Sequence, residues 1–241
     1  MRLDVYIFES GQAESRTEAK SFITQGAVAV DGRAVTKPSF DVTDAMTVSV
    51  DRSSKKYVSR GGLKLEHALA AFGVSPLGKA CIDIGASTGG FTDCLLQNGA
   101  AHVTAVDSGS LQLVASLKAD KRVTSLENFN ARYMSADDFE ERFDLAVMDV
   151  SFISATYIIP AVREVLKPDG DFVCLVKPQF ELGRAALGKG GIVKDDGLRQ
   201  SALDKVIKFS ECHGFYAAGI SDSPISGGDG NKEFLVHFKL R

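Results

Sequence analysis

Six charged side chains stand where chemistry could be done. Asp83, Asp107, Asp149 and Lys177 close four apolar runs, Glu233 opens another, and Lys64 precedes them all. A carboxylate fixed at a strand end can bind hydroxyls or orient a cation, and a lysine that loses its proton can act as a base. Polar residues also mark where strands emerge into water, so each of these positions taken alone has a plain structural origin. Asp83 opens the run Asp83-Ile-Gly85-Ala86-Ser87-Thr88-Gly89-Gly90-Phe91. Small residues there let backbone N–H groups at a helix start approach a nucleotide-like ligand, although the same run also suits a tight strand-to-helix connection. Asp107 follows Asp83 by 24 residues, about where a carboxylate meets ribose hydroxyls in a doubly wound sheet. The spacing is not the GxGxxG of a dinucleotide site, and a carboxylate at Asp83 would repel a pyrophosphate. It suits a cofactor with a cationic amino-acid end.

These residues need a scaffold, and the pattern supplies one. Apolar runs near Ala80 to Ile84, His102 to Val106, Arg122 to Leu126, Phe143 to Met148, Asp171 to Val176, Phe215 to Ile220 and Phe234 to Lys239 read as strands. Helices are expected near Gly90 to Gln97, Leu111 to Lys118, Ser154 to Lys167 and Gly197 to His213. Strands alternating with helices predict an α/β, Rossmann-like, largely parallel sheet. The last two runs are joined by SDSPISGGDGNKE, too short for a crossover helix, so the last strand should be antiparallel. Ligands of such sheets bind outside the carboxyl ends of the parallel strands, where Asp149 and Lys177 fall and where an antiparallel strand starting at Glu233 also begins.

Residues 1 to 50 have a different rhythm, that of a small α+β module. Ser15-Arg16-Thr-Glu18 is a capping box for a helix through about Gln25, ended by Gly26. Asp31-Gly32 fits a tight hairpin turn, and Met46 to Val50 alternates as a third strand. Residues 51 to 60, DRSSKKYVSR, read as a polar linker, leaving 61 to 241 as the large domain. Arg16 and Lys20 share one helix face, with Arg2, Arg33 and Lys37 nearby and Lys55, Lys56 and Arg60 in the linker. This basic set could hold phosphates or be a solvated surface.

Composition narrows the classes. The chain has 241 residues, 44% hydrophobic and 24% charged, with net charge −3, which excludes a disordered or fibrous protein and a globally basic one. Residues 1–60 nevertheless carry +1 while the remainder carries −4. No apolar run approaches the roughly 18 to 20 residues of a membrane helix and no secretory signal opens the chain, so a cytoplasmic protein is expected. Cys81, Cys94, Cys174 and Cys212 are scattered without a CxxC pair, and the histidines show no ligand spacing, so neither a disulfide nor a metal site is expected.

The run RLDVYIFESGQAESRTEAKSFITQGAVAVDGRAVTKPS resembles an S4-type RNA-binding domain. The turn at Asp83 resembles motif I of S-adenosylmethionine-dependent methyltransferases, with Ser87 at a position more often glycine. Lys64, Asp149, Lys177 and Glu233 resemble the Lys-Asp-Lys-Glu tetrad of FtsJ-like ribose 2′-O-methyltransferases. With KYVSRGGLKLEHAL, DIGASTGGFTD, DVSFIS, LVKPQFE and GNKEFL, essentially the whole chain is similar to the TlyA family of ribosomal RNA methyltransferases, also labelled haemolysin A. The resemblance implies S-adenosylmethionine bound by Asp83, the turn Gly85 to Phe91, Asp107 and Asp149; Asn130 and Arg132, which follow the third strand, could approach the adenine. The residue types of the tetrad suit Lys177 as base: Lys64 as a like-charged neighbour and partial burial would push its pKa down, Asp149 would orient it and oppose part of that shift, and Glu233 would position Lys64 or the ribose. The implied partner is ribosomal RNA, cytidine being the target and the large subunit the preferred one. Two rival readings are a non-catalytic assembly protein on the same fold and a membrane-active haemolysin. The glycine-rich, basic stretch from Gly183 to Asp195 reads equally as a mobile substrate flap or a plain solvated loop.

Overall fold

A computed structural model describes residues 1–13, 15–24, 26–51, 56–227 and 230–241, the side chains of Ser21 and Lys189 excepted. The chain forms two compact units, Met1–Lys56 and Tyr57–Arg241.

The front unit follows its punctuation. Helices α1 (Leu3–Glu9) and α2 (Arg16–Thr24) precede strands β1 (Val28–Val30), β2 (Arg33–Ala34) and β3 (Val48–Val50), with sheet order β2-β1-β3. Ser15 Oγ accepts the Glu18 N–H at 3.1 Å, opening α2, and Gly26 follows its end at φ +75°. Gln25 lies outside the described residues. Asp31 (φ 49°) and Gly32 (φ 75°) both take the left-handed conformation that joins β1 to β2 tightly. Asp31 Oδ1 also accepts the Thr47 N–H at 2.8 Å, which brings in the third strand; that strand begins at Val48 rather than Met46. Leu3, Ile7, Ala19, Phe22, Ile23 and Val28 form the core.

The large unit is a seven-stranded sheet wrapped by helices. In chain order it contains α3 (Gly61–Phe72), β4 (Ala80–Ile84), α4 (Gly90–Gln97), β5 (His102–Val106), α5 (Ala115–Lys118), β6 (Val123–Leu126), β7 (Phe143–Met148), α6 (Ile159–Val165), β8 (Leu166–Val176), α7 (Pro178–Glu181), α8 (Asp196–Cys212), β9 (Phe215–Asp222) and β10 (Phe234–Leu240). The order is β6-β5-β4-β7-β8-β10-β9. β4 to β8 pair in parallel, and β10 runs antiparallel between β8 and β9. Strand residues alternate between two cores: Ile82, Ile84, Met148 and Phe172 enter one, while Cys81, Val103, Leu145 and Val173 enter the other. Phe172, Phe215 and Phe238 pack with centroids 5.6 to 6.1 Å apart, each ring worth about 1.5–3 kcal/mol of burial.

The structure corrects three expectations. The helix expected over Leu111 to Lys118 is only Ala115–Lys118, because Leu111 sits at φ +56° and interrupts the period. The helix expected over Ser154 to Lys167 splits into a 3₁₀ turn at Ala155–Tyr157 and α6, which carries Pro160 in its first turn where no N–H is needed. The expected linker is cut short, since Tyr57 is 4% exposed and packs in the core of the large unit.

Candidate active site

Sheet register assembles the charged residues. Val176 pairs with Phe234 on antiparallel β10, so the next step of the ladder sets Glu233 opposite Lys177. The Asp149 N–H donates to Ile84 O at 3.0 Å, carrying β7 one residue past Met148 beside the glycine turn. Gly85 follows at φ +83°, and a Cβ there would lie 2.6 Å from the Asp149 carbonyl oxygen, so only glycine fits without a shift.

Two ion pairs result. Lys177 Nζ lies 2.6 Å from Asp149 Oδ1 and donates to Ser151 Oγ at 2.7 Å. Lys64, presented by α3, is ion-paired with Glu233; both are buried, at 7% and 3% exposure. Gly227 leaves the space that the Glu233 carboxylate occupies. Each lysine therefore has its own carboxylate.

Beside them opens a cleft of about 400 Å³, whose lining includes Gly85, Ser87, Asp107, Asn130, Asp149 and Ser151, with apolar walls from Ile84, Val106, Phe129 and Ile158. Asp107 holds two backbones at once: Oδ2 accepts the Ser87 N–H at 2.8 Å and Oδ1 the Gly109 N–H at 2.7 Å. Asn130 Oδ1 accepts the Arg132 N–H at 3.1 Å.

Other residues expected to bind the cofactor do not line the cleft. Asp83 is fully buried, with Oδ2 accepting the Thr92 hydroxyl at 2.6 Å and Oδ1 without a partner among the described residues. Burial pushes its pKa up to about 7 against the opposing Thr92 hydrogen bond, with the Asp149 and Asp107 charges adding to the rise. Ala86 and Phe91 are buried, and Gly89 and Gly90 have no room for a side chain, Gly89 packing under Leu113 and Leu117 and Gly90 against Ser59 and Gly62. Thr88 is exposed but outside the lining. The turn thus meets the cleft only through Gly85 and Ser87. Arg132 is also outside the lining and lies over the rings of Tyr157 and Tyr133.

Three anchoring residues of the large unit, and one of the front unit, escape a reading of the sequence. Glu181 is 6% exposed and accepts hydrogen bonds from Ser154 Oγ and, at 2.7 Å, the Ala155 N–H, tying the loop that carries Asp149 and Ser151 to the helix that follows Lys177. Asn231 Oδ1 accepts the Val193 N–H at 2.9 Å and Nδ2 donates to Gly191 O at 3.1 Å. Arg199 donates to Val193 O and Lys194 O. The far half of the expected flap is therefore fastened down. Asp4, fully buried, accepts from Arg2 Nε at 2.9 Å and Arg16 Nη2 at 3.0 Å; the Arg2 hydrogen bond leads in lowering its pKa to about 2.

Arg2 and Arg16 are thus engaged with Asp4, whereas Lys20, Arg33 and Lys37 are exposed on the front unit. Lys56 is exposed and Arg60 half-buried; Lys55 lies outside the described residues.

Residues 57–240 match the FtsJ-like methyltransferase family and residues 1–48 match the S4 domain. The chain belongs to the FtsJ-like methyltransferase family. Similarity to full-length relatives spans both units. The chain is 43% identical over 242 residues to the 16S/23S rRNA (cytidine-2′-O)-methyltransferase TlyA of Mycobacterium tuberculosis, covering 100% of this chain and 90% of that one. It is 46% identical over 240 residues to Hemolysin A of Brachyspira hyodysenteriae, covering 99% of each. The solved structure of a hemolysin candidate from Streptococcus thermophilus matches with TM-score 0.80 and 45% identity, over 100% of this chain and 88% of that one. Family membership accounts for the sheet order. As for the haemolysin label, no helix among the described residues is long and apolar enough to cross a membrane.

Proposed function

We propose that this FtsJ-like methyltransferase moves a methyl group from S-adenosylmethionine to the 2′-hydroxyl of a cytidine in ribosomal RNA, with large-subunit RNA the first target to examine. The observation that carries the reading is Asp149: it borders the cleft and at the same time holds Lys177 at 2.6 Å, so a ligand pocket and a proton acceptor share one residue. The relative that acts on cytidine 2′-hydroxyls of 16S/23S rRNA supports the substrate class.

The residues fit the cofactor. Asp107 at the end of β5 can accept from ribose hydroxyls, Ile84, Val106, Phe129 and Ile158 offer apolar walls for a purine, and Gly85, Asn130 and Asp149 complete the rim. The buried Asp83 supports the turn from behind. When bound, S-adenosylmethionine supplies an electrophilic methyl whose sulfur departs as a neutral thioether.

The chain's own residues handle the proton. A ribose hydroxyl is a weak acid, so its proton must leave as the new C–O bond forms. Lys177 in its neutral form takes that proton at Nζ, and Asp149 and Ser151 aim the amine. Lys64, fixed by Glu233, holds the ribose in line with the methyl. The S4 unit adds Lys20, Arg33 and Lys37 for phosphates, and the target nucleotide leaves its stack to reach the cleft.

The test is to incubate the purified protein with labelled S-adenosylmethionine and unmodified rRNA of each subunit and map ribose methylation. Label on one cytidine 2′-oxygen supports the reading; binding of rRNA without transfer supports an assembly role instead.

A further inference from the structure

Arg132 does not line the cleft, and its surroundings suggest another use. Its guanidinium carbon lies 4.7 Å from the Tyr157 ring centroid and 5.7 Å from that of Tyr133. Tyr133 is 73% exposed and Tyr157 53%. Among the described residues no carboxylate pairs with Arg132. An arginine stacked on tyrosine keeps its N–H edge for a phosphate, and an exposed tyrosine ring is a surface on which any base can stack.

Tyr157 also lines a groove of about 900 Å³ together with Phe180, Arg184, Leu187 and Phe209. This groove shares Phe152 and Ile153 with the cofactor cleft, so the two lie next to each other, with those residues between them. Its buried carboxylate, Glu181, is already taken up by Ser154, Ala155 and Lys205. Arg184 is exposed and has no ion-pair partner among the described residues. The groove therefore presents aromatic faces and the guanidinium of Arg184, with that of Arg132 stacked beside it on Tyr157, next to the cofactor cleft.

We propose that this groove, with the Arg132–Tyr157–Tyr133 stack beside it, carries the single-stranded RNA that flanks the target nucleotide. Bases stack on the tyrosines, and phosphates meet Arg132 and Arg184. The inference rests on the proposed RNA substrate and adds to it the route of the strand within the methyltransferase unit.

The experiment uses the full-length protein and a fluorescein-labelled, single-stranded oligoribonucleotide read by anisotropy, alongside calorimetric binding of S-adenosylmethionine and methylation of rRNA. Combined Arg132→Ala, Tyr157→Ala and Arg184→Ala substitution should weaken oligoribonucleotide binding roughly tenfold or more, as expected for removing one stacked base and two phosphate partners. KM for rRNA should rise with kcat little changed and cofactor affinity intact. Tyr157→Phe, which keeps the ring, should bind like wild type. Triple-variant binding and KM equal to wild type overturn the groove, as does a wild-type protein that does not bind the oligoribonucleotide. Wild-type protein that binds it through these residues yet transfers no methyl to rRNA overturns the proposed activity instead.

Discussion

Gly85 lies so close to Asp149 that a Cβ on the glycine would stand 2.6 Å from the Asp149 carbonyl oxygen. That contact locks the end of β4 to the residue that holds Lys177, and it makes the glycine a positioning element of the proposed catalytic pair. Gly85→Ala combines a positive φ with a backbone clash, and should cost about 1–3 kcal/mol of stability. It should also displace Asp149, so activity falls further than stability accounts for. Chemical denaturation and rate measurement on one preparation check this; an alanine variant with normal rate and normal stability contradicts it.

Asp107 is predicted to hold the cofactor both directly and through the loops it anchors. Because its two oxygens already accept the Ser87 and Gly109 N–H groups, Asp107→Ala should weaken S-adenosylmethionine binding by roughly 1–3 kcal/mol, the range for hydrogen bonds to a charged group. Titration calorimetry reads this directly, and unchanged affinity would remove Asp107 from the site.

Asp83 gives a pH signature. Its folded pKa of about 7 lies above the ordinary 3.8, so the folded protein holds a proton that the unfolded chain releases earlier. The folded state is therefore progressively destabilised as pH rises between those two values, by a few kcal/mol at most, and the loss is complete above about pH 7. Asp83→Asn keeps an acceptor for Thr92 and removes the titration. Thermal unfolding of the two proteins from pH 5 to pH 8 should show wild type losing stability relative to the asparagine variant; parallel profiles would mean that the carboxyl titrates normally.

The front unit also makes a prediction, and the structure alters how it should be tested. Reversing Arg16 would place a carboxylate against the buried Asp4 and disturb the fold. Lys20→Glu with Lys37→Glu changes exposed positions instead. RNA affinity should drop and the slope of log affinity against log salt should flatten by about 2, one for each phosphate no longer neutralised. Cofactor affinity should stay the same. An unchanged salt slope would place the S4 unit's phosphate-binding residues elsewhere.

Local chemistry made much of this legible from sequence. Asp31-Gly32 can make only a tight turn, and the loop before Phe234 is too short to cross the sheet, which dictates the antiparallel last strand. The four strand-end charges followed from the same rule that puts ligands at the carboxyl ends of parallel strands. The misses have a common cause. Leu111 carries an apolar side chain three and four residues before Val114 and Ala115, as a helix face would have it, yet its backbone is left-handed at φ 56° and it is 87% exposed. Glu181 meets Ser154 across 27 residues, Asn231 meets Val193 across 38, and Asp4 meets Arg16 across 12. No local pattern announces such pairings. Asp83 reads as part of the ligand site because its position in the motif is visible, whereas its burial behind Thr92 is not.

The most direct measurement is the single-turnover rate of methyl transfer from S-adenosylmethionine to rRNA by wild type and Lys177→Arg. Guanidinium stays protonated at any workable pH, so arginine can keep the ion pair with Asp149 but cannot accept the 2′-hydroxyl proton. The expected result is methylation of a cytidine ribose by wild type and a rate at least about a hundredfold lower for Lys177→Arg, the usual scale of a lost general base. A Lys177→Arg enzyme that keeps more than about a tenth of the wild-type rate, a loss under about 1.4 kcal/mol, would contradict the assignment of Lys177 as the base.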